Sequence, residues 1–574
     1  MRPRLADGLA VGACALVAFA ITLGRWGGAW PFLVGGDAAN IATWAAALDH
    51  PGCFAGDGSI GDPANFRFYW TVHLPGLRGL APLVGGYGNA FVSLLFFHVW
   101  LQAVGFYVLG RAWYGSRRFA FLLALASLAP VALNLHEVWG LLPDPLPRFT
   151  FQAALPFLLA AALAFRGRPR AWPWLLLAAG ALLYVHPVSA PPWAFAIWLG
   201  LWTARPPGES RGRQALRLVG CGALFLLASA PFLAVYLGAH AHGRVAPERF
   251  AEVSAVMRAL LPRGYLDAPF ALREFAAGFL DARALYWLGA AAGVALVVWR
   301  WPALRPRAAL LGAWIGGLLA VSFAGPFVEQ RLAEPLQRLP AQIDLIRGIR
   351  YLVPMALLAA FWPLAALDAD LRRRGGHAVA RGALLAAGVA ALAGWLALHP
   401  IEELRRTAEC WRRGRLVCLP PGWPPAAEAI EQVARETPPG ARILPTRLGY
   451  AMQIRYHALR PVVHSHRDFS ALLYANHDRL LEWYAEHRAE EAVLARTTRE
   501  ARFAGHLERA ARLGADYVLL DPTHLPARLP ERGSHPVPWE RVWRNERYAL
   551  VRLVRESAPE PAAPPAADCR PAWR

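Results

Sequence analysis

A chain of 574 residues that is 56% hydrophobic and only 17% charged is not an ordinary soluble domain. Its formal charge of +20 would suggest nucleic acid in a soluble chain, but the basic residues are all arginine and much of the charge lies in short loops between apolar blocks. There it sets topology, and nucleic acid drops out as a partner.

The N-terminus, Met1-Arg2-Pro3-Arg4, is basic, and an apolar run over residues 7–25 follows it without a convincing small-residue cleavage site. It reads as an uncleaved first span. A long polar loop over 26–88 comes next. In it, Gly35-Gly36 lets the backbone bend as it leaves the membrane, and Asp37 stands at the surface. Asn40 to Leu48 reads as a short amphipathic helix along the interface, broken by Asp49-His50-Pro51-Gly52. Gly56-Asp57-Gly58 then puts a second carboxylate on a turn. An ionisable residue at the mouth of a membrane bundle is a functional candidate by default, and the plainer reading of Asp37 is a helix cap.

Further spans are expected near 89–110, 119–134, 149–165, 172–185, 191–204 and 216–238. Four more follow: one ending at Arg300, one before Glu329, one from Arg350 to about Leu367 and one ending near Pro400. That makes about eleven. Arginine clusters occupy alternate loops: the N-terminus, 111–118, 166–170, 205–217, 300–307 and 372–381. By the positive-inside rule these loops are cytoplasmic. The opposite face then receives the Asp37 loop, the loop from His136 and Glu137 to Arg148, the His186-Pro187 break, the loops over 239–281 and 326–350, and the C-terminal tail.

Residues 401–556 change character. Helical periodicity over 425–436, 480–486 and 502–513 alternates with apolar runs at 441–445, 461–464 and 514–521, and a hairpin over 539–553 turns at Asn545-Glu546. This is a small soluble α/β domain, and the Pro/Ala-rich 557–574 reads as a disordered tail. The expected class is therefore an α-helical polytopic membrane protein with a C-terminal soluble α/β domain. Cys14 and Cys221 read as packing residues within spans. Cys410 and Cys418 flank an Arg-rich stretch and would form a local bridge if that side is oxidising. His464-Ser465-His466-Arg467-Asp468 would show both histidines on one strand face, but no further ligands stand near in sequence, so no metal site is assigned there.

These features together resemble the GT-C superfamily of membrane glycosyltransferases. The resemblance rests on Gly35-Gly36-Asp37 after the first span, on Asp49-His50-Pro51 and Gly56-Asp57, and on His186-Pro187. Arg347-Gly348-Ile349-Arg350-Tyr351 at a late span, and Leu513-Gly514-Ala515-Asp516-Tyr517 and Asn545-Glu546-Arg547-Tyr548 in the tail, complete it. It covers nearly the whole chain by architecture and short motifs. It implies transfer of a sugar from a polyprenyl-phosphate donor to a glycan, lipid or protein acceptor on the external face of a bacterial inner membrane. Asp37 matches the family's first-loop Asp and becomes the expected general base, taking the proton of an acceptor hydroxyl. Asp57 reads as a second acid, a metal ligand or a turn residue. Arg148, Arg347 and Arg350 suit phosphate oxygens, with interfacial snorkelling as their plain alternative. His136, Glu137 and His186 are expected around the same cavity, against a plain role at helix ends. A divalent cation, magnesium or manganese, is compatible with the family, yet the loop has a single Asp after its glycines rather than an Asp-x-Asp pair, which argues against a metal requirement. Rival readings are a polysaccharide polymerase or ligase, a transporter, and a non-catalytic scaffold of the same architecture.

Overall fold

The apolar blocks fold as helices. The computed structural model describes residues 3–28, 34–133, 138–142, 144–204, 208–242, 245–279, 284–333, 335–336, 344–375, 377–418, 425–446, 450–555, 569 and 571. Among these, 7 helices are long and apolar enough to cross a membrane: Leu5–Trp26, Tyr87–Tyr114, Pro147–Phe165, Arg211–Ala239, Pro302–Ala333, Leu345–Arg373 and Ala378–Leu398. Leu285–Arg300 is a shorter apolar helix. The remaining expected spans are shorter again: Arg117–Ala126, Trp172–Ala181 and Ala190–Trp202, of 10, 10 and 13 residues. At ~1.5 Å per residue none of these crosses ~30 Å of hydrocarbon alone. The first gives way to an antiparallel pair, β1 (Val131–Ala132) and β2 (Val138–Trp139). The other two are parted by the break at His186-Pro187.

By contacts the chain divides into two units. The first comprises Met1–Gly24, Leu95–Leu233 and Arg258–Arg412. Its helices pack closely through small residues: a Cβ on Gly317 would lie 2.6 Å from the Cα of Ala196 on helix Ala190–Trp202. Trp113, Trp314 and Trp362 fill its interior, with ring centres 5.8 and 5.2 Å apart around Trp113. At one end Asp7 accepts from Tyr107 and Arg117 and lies 3.4 Å from Arg111. Arg307 there donates to the Trp113 carbonyl and feels the charge of Arg166. Three of the arginine-rich turns thus share one end of this unit with the start of the first helix. Helix Glu402–Arg412, expected with the tail domain, belongs here instead, with Thr407 bonded to the Ala20 carbonyl at 2.6 Å.

The second unit joins Arg25–Leu94, Ala234–Met257 and Arg413–Arg574. Its sheet has β3 (Ile443–Pro445), β4 (Tyr517–Leu520), β5 (Arg532–Gly533), β6 (Trp539–Arg544) and β7 (Ala549–Leu553) in the order β3-β4-β7-β6-β5. Of these five strands, β3 and β4 pair in parallel and the other neighbours antiparallel. Strand alternation sends Tyr517, Leu519 and Leu550 into one core with Ile430 and Val433 of helix Pro425–Glu436. Val518, Leu520 and Val551 go into the other, with Leu507 and Ala510 of helix Arg499–Arg512. Pro461 to His464 is no strand; it contributes a single bridge, Val462 to Ile443. Within the expected disordered tail, Cys569 is buried and disulfide-bonded to Cys53, with Cα atoms 5.5 Å apart. Cys410 and Cys418 are each disulfide-bonded as well.

The first loop is an integral part of this second unit. Its helix starts at Gly36, not Asn40, and runs to Asp49, with every residue from Ala38 to Ala47 buried. The interfacial amphipathic reading therefore does not hold. The helix packs against 451–458, where Thr43 bonds the Met452 carbonyl, and Asn40 bonds Ser470 at 3.1 Å.

Candidate functional site

Four of the residues singled out in the sequence meet in the first unit. Asp344 adopts a left-handed conformation, φ 55°, and the chain then enters a 3₁₀ helix over Leu345–Tyr351. Residues three apart eclipse on such a helix, which puts Arg347 and Arg350 on one side. Arg350 is fully buried and its Nε donates to the Arg347 carbonyl at 2.8 Å, while Arg347 pairs with Asp344. Both arginines and Arg148 bear electrostatically on His186. Loss of hydration and then these three cations hold the imidazole well below its ordinary pKa, so it is neutral. Tyr351 donates to Ser189 Oγ at 2.8 Å, and Ser189 in turn lies 2.8 Å from His186 Nδ1. Arg148 occupies the first turn of helix Pro147–Phe165, whose N-terminus has no side-chain cap. The far end of that helix leads to Arg166, so the set stands at the end of the unit opposite the arginine-rich turns.

Asp37 lies in the second unit, exposed in the first turn of helix Gly36–Asp49. It is not the cap: that position is Gly35, and Gly36 makes the turn at φ +53°, a conformation open to glycine. The carboxylate bears on Tyr69, whose hydroxyl is pushed well above its ordinary pKa, chiefly by burial. Tyr69 packs on Trp44 with ring centres 4.7 Å apart.

Asp57 has a different setting. Its carboxylate is fully buried and accepts from Arg455 Nε at 2.7 Å and Nη2 at 2.8 Å, and from the backbone N–H groups of Ser59, Ile60 and Val462. Asp468 grips the other side of the same guanidinium at 2.5 Å. Every lone pair is in use, so Asp57 is a turn residue and an interior ion-pair partner with nothing left for a substrate. His136 and Glu137 lie outside the described residues.

An open cleft of about 1000 Å³ lies wholly within the second unit, lined by Asp62, Asn65, Arg442, His464, Arg479 and Trp483, among others. Beside it the side chains of His464, His487 and Glu490 bring one donor atom each within 4.8 Å of one another. Burial alone would raise the Glu490 pKa, but His464 and Arg509 outweigh it and hold the carboxyl below its usual range. Sequence reading stopped at His464 because the partners lie on helix His477–Leu494, where the His487-Arg488-Ala489-Glu490 spacing sets two ligand types on one face. That His-x-x-Glu was the available signal.

Neither a protein-family model nor a curated protein sequence matches this chain.

Proposed function

We propose that this protein is a GT-C-like inverting glycosyltransferase that takes its sugar from a polyprenyl-phosphate donor. The observation that carries the reading is the gathering of Arg148, Arg347 and Arg350 about neutral His186 in a chain with seven candidate spans among its described residues. Guanidinium groups at a membrane surface, beside an uncapped helix N-terminus, suit a lipid-borne phosphate. In the proposed reaction the acceptor oxygen attacks the anomeric carbon while the bond from that carbon to the phosphate oxygen breaks. The electron pair leaves on polyprenyl phosphate, whose growing charge the arginines stabilise. The resemblance to the GT-C superfamily assigns the acceptor's proton to Asp37. The arginine-rich turns that share one end of the first unit support a cytoplasmic placement for that end. The Cys53–Cys569 disulfide supports an oxidising, extracytoplasmic compartment for the second unit, as expected of a bacterial inner-membrane enzyme.

The test is sugar transfer by the purified full-length protein in lipid, with a panel of polyprenyl-phosphate sugars and wild type beside Asp37→Asn. A fall of about 10²–10⁴-fold in the variant at unchanged expression is the expected result. Undiminished transfer removes Asp37 as base. No transfer by wild type from any donor overturns the glycosyltransferase reading in favour of the scaffold or transporter.

A further inference from the structure

We propose that His464, His487 and Glu490 bind a zinc ion in the second unit. The argument starts from orphaned atoms. His464 Nε2, His487 Nδ1 and Glu490 Oε2 are all buried, and none has a hydrogen-bond partner. The side chains of His464 and Glu490 are only 3% and 2% exposed. Buried polar groups left unpaired cost free energy, and a bound ion is one of the few things that satisfies several converging on one point. A simple ion pair does not account for the group: His464 Nε2 stands 3.4 Å from Glu490 Oε2, longer than a good N–H···O bond, and it leaves His487 Nδ1 without a role.

The donors are also held as ligands usually are. Trp483 stacks on both imidazoles, with ring centres 5.8 Å from His464 and 5.0 Å from His487 and interplanar angles of 16° and 8°. Its indole N–H is fixed on the Ser465 carbonyl at 2.7 Å, which locks the stack. Glu491 Oε1 lies 3.7 Å from His487 Nε2, too far for a hydrogen bond, so it bears on the ring through its charge alone. Arg509 approaches the other oxygen of Glu490, at 3.4 Å from Oε1, so it competes for the carboxylate's charge without occupying Oε2. His466 packs on His487, with ring centres 5.3 Å apart, but is not one of the three side chains whose donor atoms converge, so the fourth position is left to water or another exogenous ligand.

Donor chemistry selects the metal. Two imidazoles and one carboxylate suit zinc, whereas magnesium and calcium prefer all-oxygen sets. The site therefore differs in kind from a magnesium or manganese cofactor held on a sugar phosphate.

The test uses full-length protein in detergent, stripped with a chelator, dialysed and titrated with zinc chloride in excess magnesium, with bound metal read by mass spectrometry. Wild type should take up about one equivalent of zinc, and His487→Ala should weaken binding by at least about tenfold. Because Glu490 is buried, Glu490→Gln counts only where its circular dichroism and melting match wild type, and it should then show the same loss. Titration with cobalt should give the d–d absorption of a nitrogen- and oxygen-bound ion in wild type and lose it in His487→Ala. No zinc in wild type above the level of a non-binding control overturns the proposal, and so does zinc uptake unchanged by His487→Ala.

Discussion

The two units each bury an arginine completely, and they do it in opposite ways. Arg455 in the second unit is clasped by Asp57 and Asp468, so two carboxylates surround one guanidinium. Arg350 in the first unit has a backbone carbonyl for its Nε and shares its surroundings with Arg148 and Arg347 about a histidine kept neutral. Desolvating a charge is expensive, and carboxylates offset the cost by direct pairing. In the first unit Asp344 pairs with Arg347, and in the proposed function the three arginines would in addition meet the donor phosphate. The first arrangement holds the fold together, and the second is the one the proposed glycosyltransferase would use for its donor.

Removing one partner of the architectural pair should have the largest effect. Asp57→Ala strips Arg455 of half its counter-charge and three backbone N–H groups of their acceptor, and should destabilise the second unit by about 3–5 kcal/mol. Limited proteolysis of the 413–555 region and thermal melting would measure it. A variant as protease-resistant as wild type would return Asp57 to the list of substrate-facing groups. Next comes Cys569→Ser, which frees the link to Cys53 and should cost ~2–4 kcal/mol in the same assays. The smallest effect should come from Arg350→Gln. It should weaken binding of a polyprenyl-phosphate sugar by about 10–100-fold, one charged hydrogen bond's worth, while lowering the melting temperature less than Asp57→Ala does. If Arg350→Gln unfolds the protein as readily as Asp57→Ala, the two buried arginines do the same job and the distinction fails.

The sequence made local structure visible and long-range pairing invisible. The β6–β7 hairpin was legible because Asn545 carries its own turn chemistry, accepting from the backbone N–H groups of Arg547 and Tyr548. Arg148, His186, Arg347 and Arg350 were legible because each stands at the edge of an apolar run. Asp57 was half legible: the turn reading is met by its bonds to Ser59 and Ile60, but nothing local announces Arg455. The alanine-rich helix Gly36–Asp49 misled for a related reason. Small apolar residues on every face look interfacial until the 451–458 segment that covers them is known. The Cys53–Cys569 bridge stayed hidden because each cysteine lies alone in its own stretch.

The same buried pair bears on how the chain is made. Asp57 is translated 398 residues before Arg455. At ~5–20 residues per second, its loop waits roughly 20–80 s for the group that neutralises it. During that interval the loop has emerged without its partner, and the alanine-rich helix has nothing to bury itself against. Any chain that stops short of Arg455 should therefore keep its first loop open to proteases, however well its membrane helices have inserted.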